Sequence, residues 1–121
     1  MSAPVHLFLS DALGRYGFPE GHPLSIDRQG AFWNAARARG LDRAAVIADS
    51  AAAARSAIAR FHQPEYIERV IAASREGSGY LDYGDTPAFA GCYEVASHVV
   101  GAALEGARRI MACEALRTFQ P

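Results

Sequence analysis

Apolar and polar positions follow one another in runs that predict a mixed α/β chain. The run Val5–Leu9 contains β-branched and aromatic residues and predicts a buried strand. A second run, Ala44–Ala48, predicts another strand. Residues 14–23 hold three glycines and two prolines and predict a loop. Helical patterns follow both strands, so the order of elements is that of an α/β sheet.

Helical periodicity then predicts four helices, over 26–39, 51–61, 64–76 and 89–115. Ser25 is the expected N-cap of the first helix, which stops at Gly40. The second is rich in alanine, which favours helix, with Asp49 and Ser50 as its expected cap. Gly77 ends the third. The fourth carries many small residues, which predict close packing against a sheet or another helix.

The predicted sheet has too few strands. Strands of a parallel sheet are buried on both faces and need paired neighbours at their edges. The sequence offers no third strand pattern to supply them. We therefore expect residues 1–121 to form a single, incomplete domain.

Length and charge limit the partners of the chain. It has 121 residues, half of them apolar, with 12 basic and 13 acidic residues and a net charge of −1. These values predict one globular domain and give no electrostatic reason to expect nucleic acid or an anionic membrane as a partner. The first residues lack a basic segment, and their apolar run is too short for a signal peptide or a spanning helix. We expect a cytoplasmic protein.

Cysteine and histidine show no pattern of a metal or redox site. Cys92 and Cys113 lie near opposite ends of the longest predicted helix, about 30 Å apart at the helical rise, so they are expected to be buried free thiols. Each of the four histidines lies in a different predicted element, without a partner at ligand spacing. No serine has the context of a nucleophile elbow, and no glycine-rich loop follows a strand.

Two carboxylates and one arginine are the candidates for binding. Asp82 and Asp85 flank Tyr83-Gly84, so a turn there would present both acids to a ligand. Taken alone, Asp85 more often forms an Asx turn or caps the following helix. Arg28 is likewise typical of a surface arginine in the first turn of a helix. The residues alone leave both interpretations open.

The order of several segments favours a family. These are His22-Pro23 with Arg28, Phe61-His62 with Tyr66-Ile67, and Gly84-Asp-Thr-Pro87 with Phe89, Gly91 and Tyr93-Glu94. In this order the chain resembles the N-terminal part of the histone deacetylase superfamily, and most of all its bacterial acetoin-utilization branch. The resemblance covers about residues 6–121, and the Gly-Asp-Thr-Pro segment is its most specific part.

The resemblance implies the N-terminal part of a three-layer fold of the arginase-deacetylase type, with a mostly parallel sheet, helix-rich in this segment. Such enzymes use zinc to polarise an acetyl-amide carbonyl and activate water, with a histidine pair and a tyrosine. Asp85 matches the family's rim aspartate, which accepts hydrogen bonds from the substrate backbone. Arg28 matches an arginine that lines an internal channel. No residue here matches a metal ligand or a catalytic residue.

The sequence thus predicts the N-terminal segment of a zinc-dependent deacetylase-like amidohydrolase that would remove acetyl groups from acetylated lysine or small amines. Zinc is expected in the intact parent enzyme and not on this chain alone, which is expected to be inactive. The alternative is a non-catalytic, α-rich interaction module or subunit derived from that family. Its partner would be a second copy of the chain or a complementing C-terminal fragment.

Overall fold

The computed structural model describes residues 3–19 and 21–121. Within them, three strands form one parallel sheet in the order β2-β1-β3: Val5–Phe8 (β1), Ala45–Ala48 (β2) and Thr118–Phe119 (β3). The α-helices are Asp11–Gly14 (α1), Arg28–Ala38 (α2), Arg55–Ile58 (α3), Pro64–Glu76 (α4) and Cys92–Met111 (α5), and a 3₁₀ turn, Leu41–Ala44, precedes β2. No helix of this part of the chain has the length and apolar character needed to cross a membrane. The predicted α/β class is confirmed.

The central strand β1 is paired on both sides. Val5–Phe8 pairs with Ala45–Ala48 along its whole length, while His6 and Leu7 pair with Thr118 and Phe119. The prediction of only two strands was therefore wrong by one. Two residues are too few to show the alternation that predicts a strand, and only the tertiary structure brings this segment beside β1.

Helices α5 and α2 cover opposite faces of the sheet. Successive strand residues point to opposite faces, and the contacts of β3 show which helix lies on each. The Thr118 side chain lies over Gly106 of α5, whereas the Phe119 ring lies 5.4 Å from the ring of Phe32 in α2. The α5 face holds the main core, formed by Phe8, Leu13, Ala48 and Ala102. The result is a three-layer arrangement of helix, sheet and helix.

The predicted helix over 51–61 is mostly absent, and only Arg55–Ile58 is helical. The backbone N–H of Ala53 donates a hydrogen bond to the Ser97 carbonyl of α5 at 2.8 Å. The Ala51 carbonyl approaches Gly101 so closely that a Cβ atom there would lie 2.0 Å away. These contacts hold the segment against α5 and outweigh the helical preference of alanine.

The helix ends differ in detail from the prediction. Ser25 does not cap α2; its hydroxyl bonds the carboxylate of Asp27, which holds the N-cap position. Helix α4 ends at Gly77 as predicted, with a left-handed φ of 69°. Helix α5 is shorter than predicted at both ends. Cys92 is buried, but Cys113 lies beyond α5 and is exposed, so the expectation of two buried thiols was wrong for Cys113.

Candidate functional site

The turn 82–86, between α4 and α5, is organised by the carboxylate of Asp82. Its Oδ1 accepts backbone hydrogen bonds from Gly84 (3.1 Å), Asp85 (2.9 Å) and Thr86 (2.8 Å), and its Oδ2 accepts one from the Thr86 hydroxyl (2.8 Å). These donors favour the ionised carboxylate, the Thr86 backbone most of all, and lower the pKa of Asp82 to about 2. Asp82, and not Asp85, therefore forms the Asx-type turn.

Asp85 is left free to face solvent. Its side chain is 98% exposed, and its Oδ1 lies 3.9 Å from Nε2 of His22. Gly84, immediately before it, has a φ of 118°, a backbone conformation that residues other than glycine rarely adopt. The N-cap residue of α5 is Gly91, so Asp85 does not cap the helix. The turn thus presents the Asp85 carboxylate outward.

The base of the turn is closed by backbone hydrogen bonds. The Leu81 N–H donates to the Thr86 carbonyl at 2.9 Å, and the Ala88 N–H donates to the Gly79 carbonyl at 2.8 Å. With the Asp82 bonds above them, these pairs hold the loop in one conformation. A turn fixed in this way can bind a ligand without ordering itself first.

The first loop of the chain reaches this turn through His22. Its Nε2 lies 2.9 Å from the Asp85 carbonyl oxygen, and its Nδ1 accepts a hydrogen bond from the Leu24 N–H at 3.1 Å. His22 and Asp85 are 63 residues apart in sequence. The sequence placed both residues in one family pattern, but it gave no sign that they touch.

The start of α5 is held by a side chain of α4. Gly91 has no side chain to cap the helix and adopts a φ of 83°. Instead the buried Ser74 hydroxyl accepts a hydrogen bond from the Tyr93 N–H at 3.1 Å and donates one to Glu94 Oε2 at 2.8 Å. Sequence analysis missed Ser74, because a cap supplied by another helix has no local pattern. This contact fixes the two helices between which the turn lies.

A largely apolar cavity of about 290 Å³ lies beside the turn. Thr86 and Pro87 form part of its wall, and the rest comes mainly from aromatic and aliphatic residues of the first loop, α4 and α5. His62 and Tyr66, both in the family pattern, belong to this wall and lie 5.3 Å apart between ring centroids. Such a lining suits an apolar group better than a charged one.

Arg28 lies apart from these contacts. It is the first residue of α2 and is exposed. Within residues 3–19 and 21–121, no hydrogen bond or ion pair joins it to Asp85 or His22. Its role in a channel and the role of Asp85 in substrate binding both remain predictions.

The described residues do not fit a zinc ion. In this part of the chain, no group of three or more histidine, cysteine, aspartate or glutamate side chains is arranged to hold a metal. His6 instead lies 3.1 Å from Nη1 of Arg109, and His22 bonds the Asp85 backbone. We therefore assign no metal chemistry to these residues.

The helix, sheet and helix layers, with a small parallel sheet, define an α/β protein, and the turn 82–86 lies between two of its helices. The family model of the histone deacetylase domain matches residues 22–120, and the chain therefore belongs to the histone deacetylase family. The crystal structure of the HDA15 HD domain is similar, with a TM-score of 0.85 at 15% sequence identity. That match covers 98% of this chain and 35% of the other, and at this identity it shows the fold alone. A comparison with curated proteins finds no match.

Proposed function

We propose that this chain is the N-terminal segment of a zinc-dependent deacetylase-like amidohydrolase that removes acetyl groups from acetylated lysine or small amines. The observation that carries the proposal is the family match over residues 22–120, which includes the whole turn 82–86. The exposed carboxylate of Asp85, on a turn held by backbone hydrogen bonds, supports it. The chain spans about a third of the length of the HDA15 chain it resembles, so the activity belongs to the intact enzyme.

Asp85 is the proposed substrate-binding residue of this segment. An ionised carboxylate accepts strong hydrogen bonds from N–H groups. Among residues 3–19 and 21–121, no side chain or backbone group donates a hydrogen bond to the Asp85 carboxylate, which is 98% exposed. It would bind the backbone N–H groups of an acetylated peptide at the mouth of the site. Loss of binding of this kind raises KM and leaves kcat unchanged.

The remaining parts of the site are proposed to come from elsewhere in the enzyme. The described residues offer no zinc ligand set. The zinc ligands and the proton-transfer residues are proposed to lie outside this chain. Arg28 is proposed to line the internal channel through which acetate leaves.

Substitution at these two residues tests the proposal. The measurement is acetate release from an acetyl-lysine peptide and from an acetylated small amine. The protein is used as it is expressed from its gene, together with any polypeptide that completes it. Asp85→Ala is expected to raise KM for the peptide roughly tenfold or more, as expected for the loss of hydrogen bonds to a charged acceptor. Arg28→Ala is expected to lower kcat with little change in KM. Glu65→Gln, an exposed acid on α4, is the control.

If the zinc-loaded protein released acetate from neither substrate, the proposed reaction would be wrong. An unchanged KM in Asp85→Ala would contradict the role of Asp85 alone.

A second function is favoured by the apolar side chains exposed at the end of α5 and beyond it. Met111 is 82% exposed and Leu116 is 73% exposed. On this proposal the chain is a non-catalytic interaction module or subunit that binds a second copy of itself or a complementing fragment. Exposed apolar surface of this kind is typical of interaction sites. Association of the chain in solution, measured as its average mass, distinguishes this function.

A further inference from the structure

We propose that His22 is a positioning residue that sets the place of Asp85 at the mouth of the site. The inference rests on the proposed function, in which Asp85 binds the substrate. It adds a residue that would act through Asp85 and would not touch the substrate itself.

Both ring nitrogens of His22 have fixed roles. The Leu24 N–H is a donor, so Nδ1 of His22, 3.1 Å away, must accept and cannot carry a proton. In the neutral ring the proton is then on Nε2, which donates to the Asp85 carbonyl at 2.9 Å. The bond is made to the main chain, so it fixes the backbone from which the Asp85 carboxylate extends.

The ring itself is held in place by the first loop. It makes an edge-on contact with Phe18, at 4.5 Å between centroids, and Phe18 makes another with Phe89, at 6.1 Å. The Phe18 N–H donates to the Leu24 carbonyl at 2.8 Å, which closes the loop around His22. The His22 side chain is only 19% exposed. His22 is therefore a rigid support and not a mobile surface side chain.

His22 makes the contact that links the turn tip to a distant part of the chain. Asp82 fixes the internal shape of residues 82–86. The turn 82–86 also accepts a hydrogen bond from outside the α4–α5 connection. Among the described residues, His22 is the side chain that donates it, to the Asp85 carbonyl. Loss of the bond would leave the turn formed but would let it shift as a unit. A shift of about 1 Å in a binding group is enough to impair positioning.

Two substitutions separate the two bonds of the ring. In His22→Gln, the amide nitrogen reaches toward the position of Nε2 and keeps a donor for Asp85. In His22→Asn, the amide oxygen takes the position of Nδ1 and keeps the acceptor for Leu24, but the side chain is too short to reach Asp85. We expect His22→Asn to raise KM roughly three- to tenfold, the range for one lost neutral hydrogen bond. We expect His22→Gln to stay nearer the parent value, with kcat unchanged in both.

A double variant tests whether His22 acts through Asp85. If it does, His22→Asn has no further effect on KM once Asp85→Ala is present, so the two effects are not additive. The control is His98→Asn, a half-buried histidine on α5 that lies outside the turn and the cavity. Thermal unfolding of each variant shows whether it is folded at the temperature of the assay.

A second readout does not depend on turnover. In the ¹⁵N NMR spectrum of the full chain, His22 is expected to show the protonated Nε2 form. The amide signals of residues 84–86 are expected to move in His22→Asn and to return toward their parent positions in His22→Gln. The same signals should be unaffected by His98→Asn.

The outcomes distinguish the two proposals. If Asp85→Ala raises KM but His22→Asn and His22→Gln behave alike, the positioning role is wrong and the proposed function stands. Additive effects in the double variant also overturn it, as does a protonated Nδ1. If Asp85→Ala leaves KM unchanged, or the protein releases no acetate, the positioning of a substrate-binding residue fails together with the proposed function. The amide signals then show only whether the contact exists.

Discussion

Asp82 and Asp85 lie three residues apart and have different surroundings. Asp82 accepts four hydrogen bonds from the turn, whereas the Asp85 carboxylate is exposed. The sequence showed that a turn would hold two acids, but it did not show which acid would form the turn. The assignment depends on the direction of each side chain, which the Gly84 backbone and the closing bonds of the loop decide.

The first prediction concerns the pH dependence of this turn. The hydrogen bonds of Asp82 lower its pKa from 3.8 to about 2. The ionised carboxylate therefore stabilises the turn at pH values above the ordinary pKa. That stabilisation is expected to disappear as the pH falls from about 4 through about 2. The amide proton shifts of Gly84 and Thr86, followed by NMR, should show this titration, and Asp82→Asn should abolish it. A titration midpoint near the ordinary pKa of an aspartate would contradict the prediction.

Helix α5 determines the packing of the other elements because small residues bring it close to them. Gly106 lies under Thr118 of β3, and Gly101 lies against the segment 51–53. The Ser74 cap joins the start of α5 to α4. The sequence predicted close packing from the small residues of this helix, and the structure shows what packs there.

The second prediction compares two helical glycines. Gly101→Ala places a Cβ atom 2.0 Å from the Ala51 carbonyl oxygen, which is backbone and cannot easily move. We expect it to destabilise the fold by about 1–3 kcal/mol or more. In α2, Gly30 has nothing within 4 Å of an added Cβ. Gly30→Ala should therefore stabilise the protein by about 0.5–1 kcal/mol. Urea unfolding measures both, and equal effects of the two substitutions would contradict this account.

At the scale of the whole molecule, apolar side chains are exposed near both outer strands of the sheet. Val46 and Ile47 of β2 point to opposite faces, yet both are exposed. At the other side, Phe119 of β3 is exposed, and so are Met111 and Leu116 before it. Parallel sheets are normally covered on both faces. Apolar side chains left exposed in this way are typical of interaction sites.

The third prediction is therefore that the chain associates. The average mass from light scattering should rise above 13.0 kDa with increasing protein concentration. The double substitution Met111→Lys and Leu116→Lys should reduce this association, because charge on an apolar surface opposes burial. Ala52→Lys, at an exposed loop position, is the matched control. A mass of 13.0 kDa at every concentration would count against an interaction surface here.

The sequence by itself determined the local elements and the family. Short, mainly apolar runs placed β1 and β2, and Pro64 and Gly77 placed α4, because strand and helix patterns and their stop signals are local. The ordered segments from His22 to Glu94 predicted the deacetylase family, which the family match confirms.

The tertiary structure decided what depends on distant contacts. It paired β3 with β1, held the segment 51–53 out of a helix against α5, and supplied the cap of α5 from Ser74. It also joined His22 to Asp85 across 63 residues. None of these contacts has a local pattern, because each depends on how the chain brings remote backbone groups within hydrogen-bonding distance.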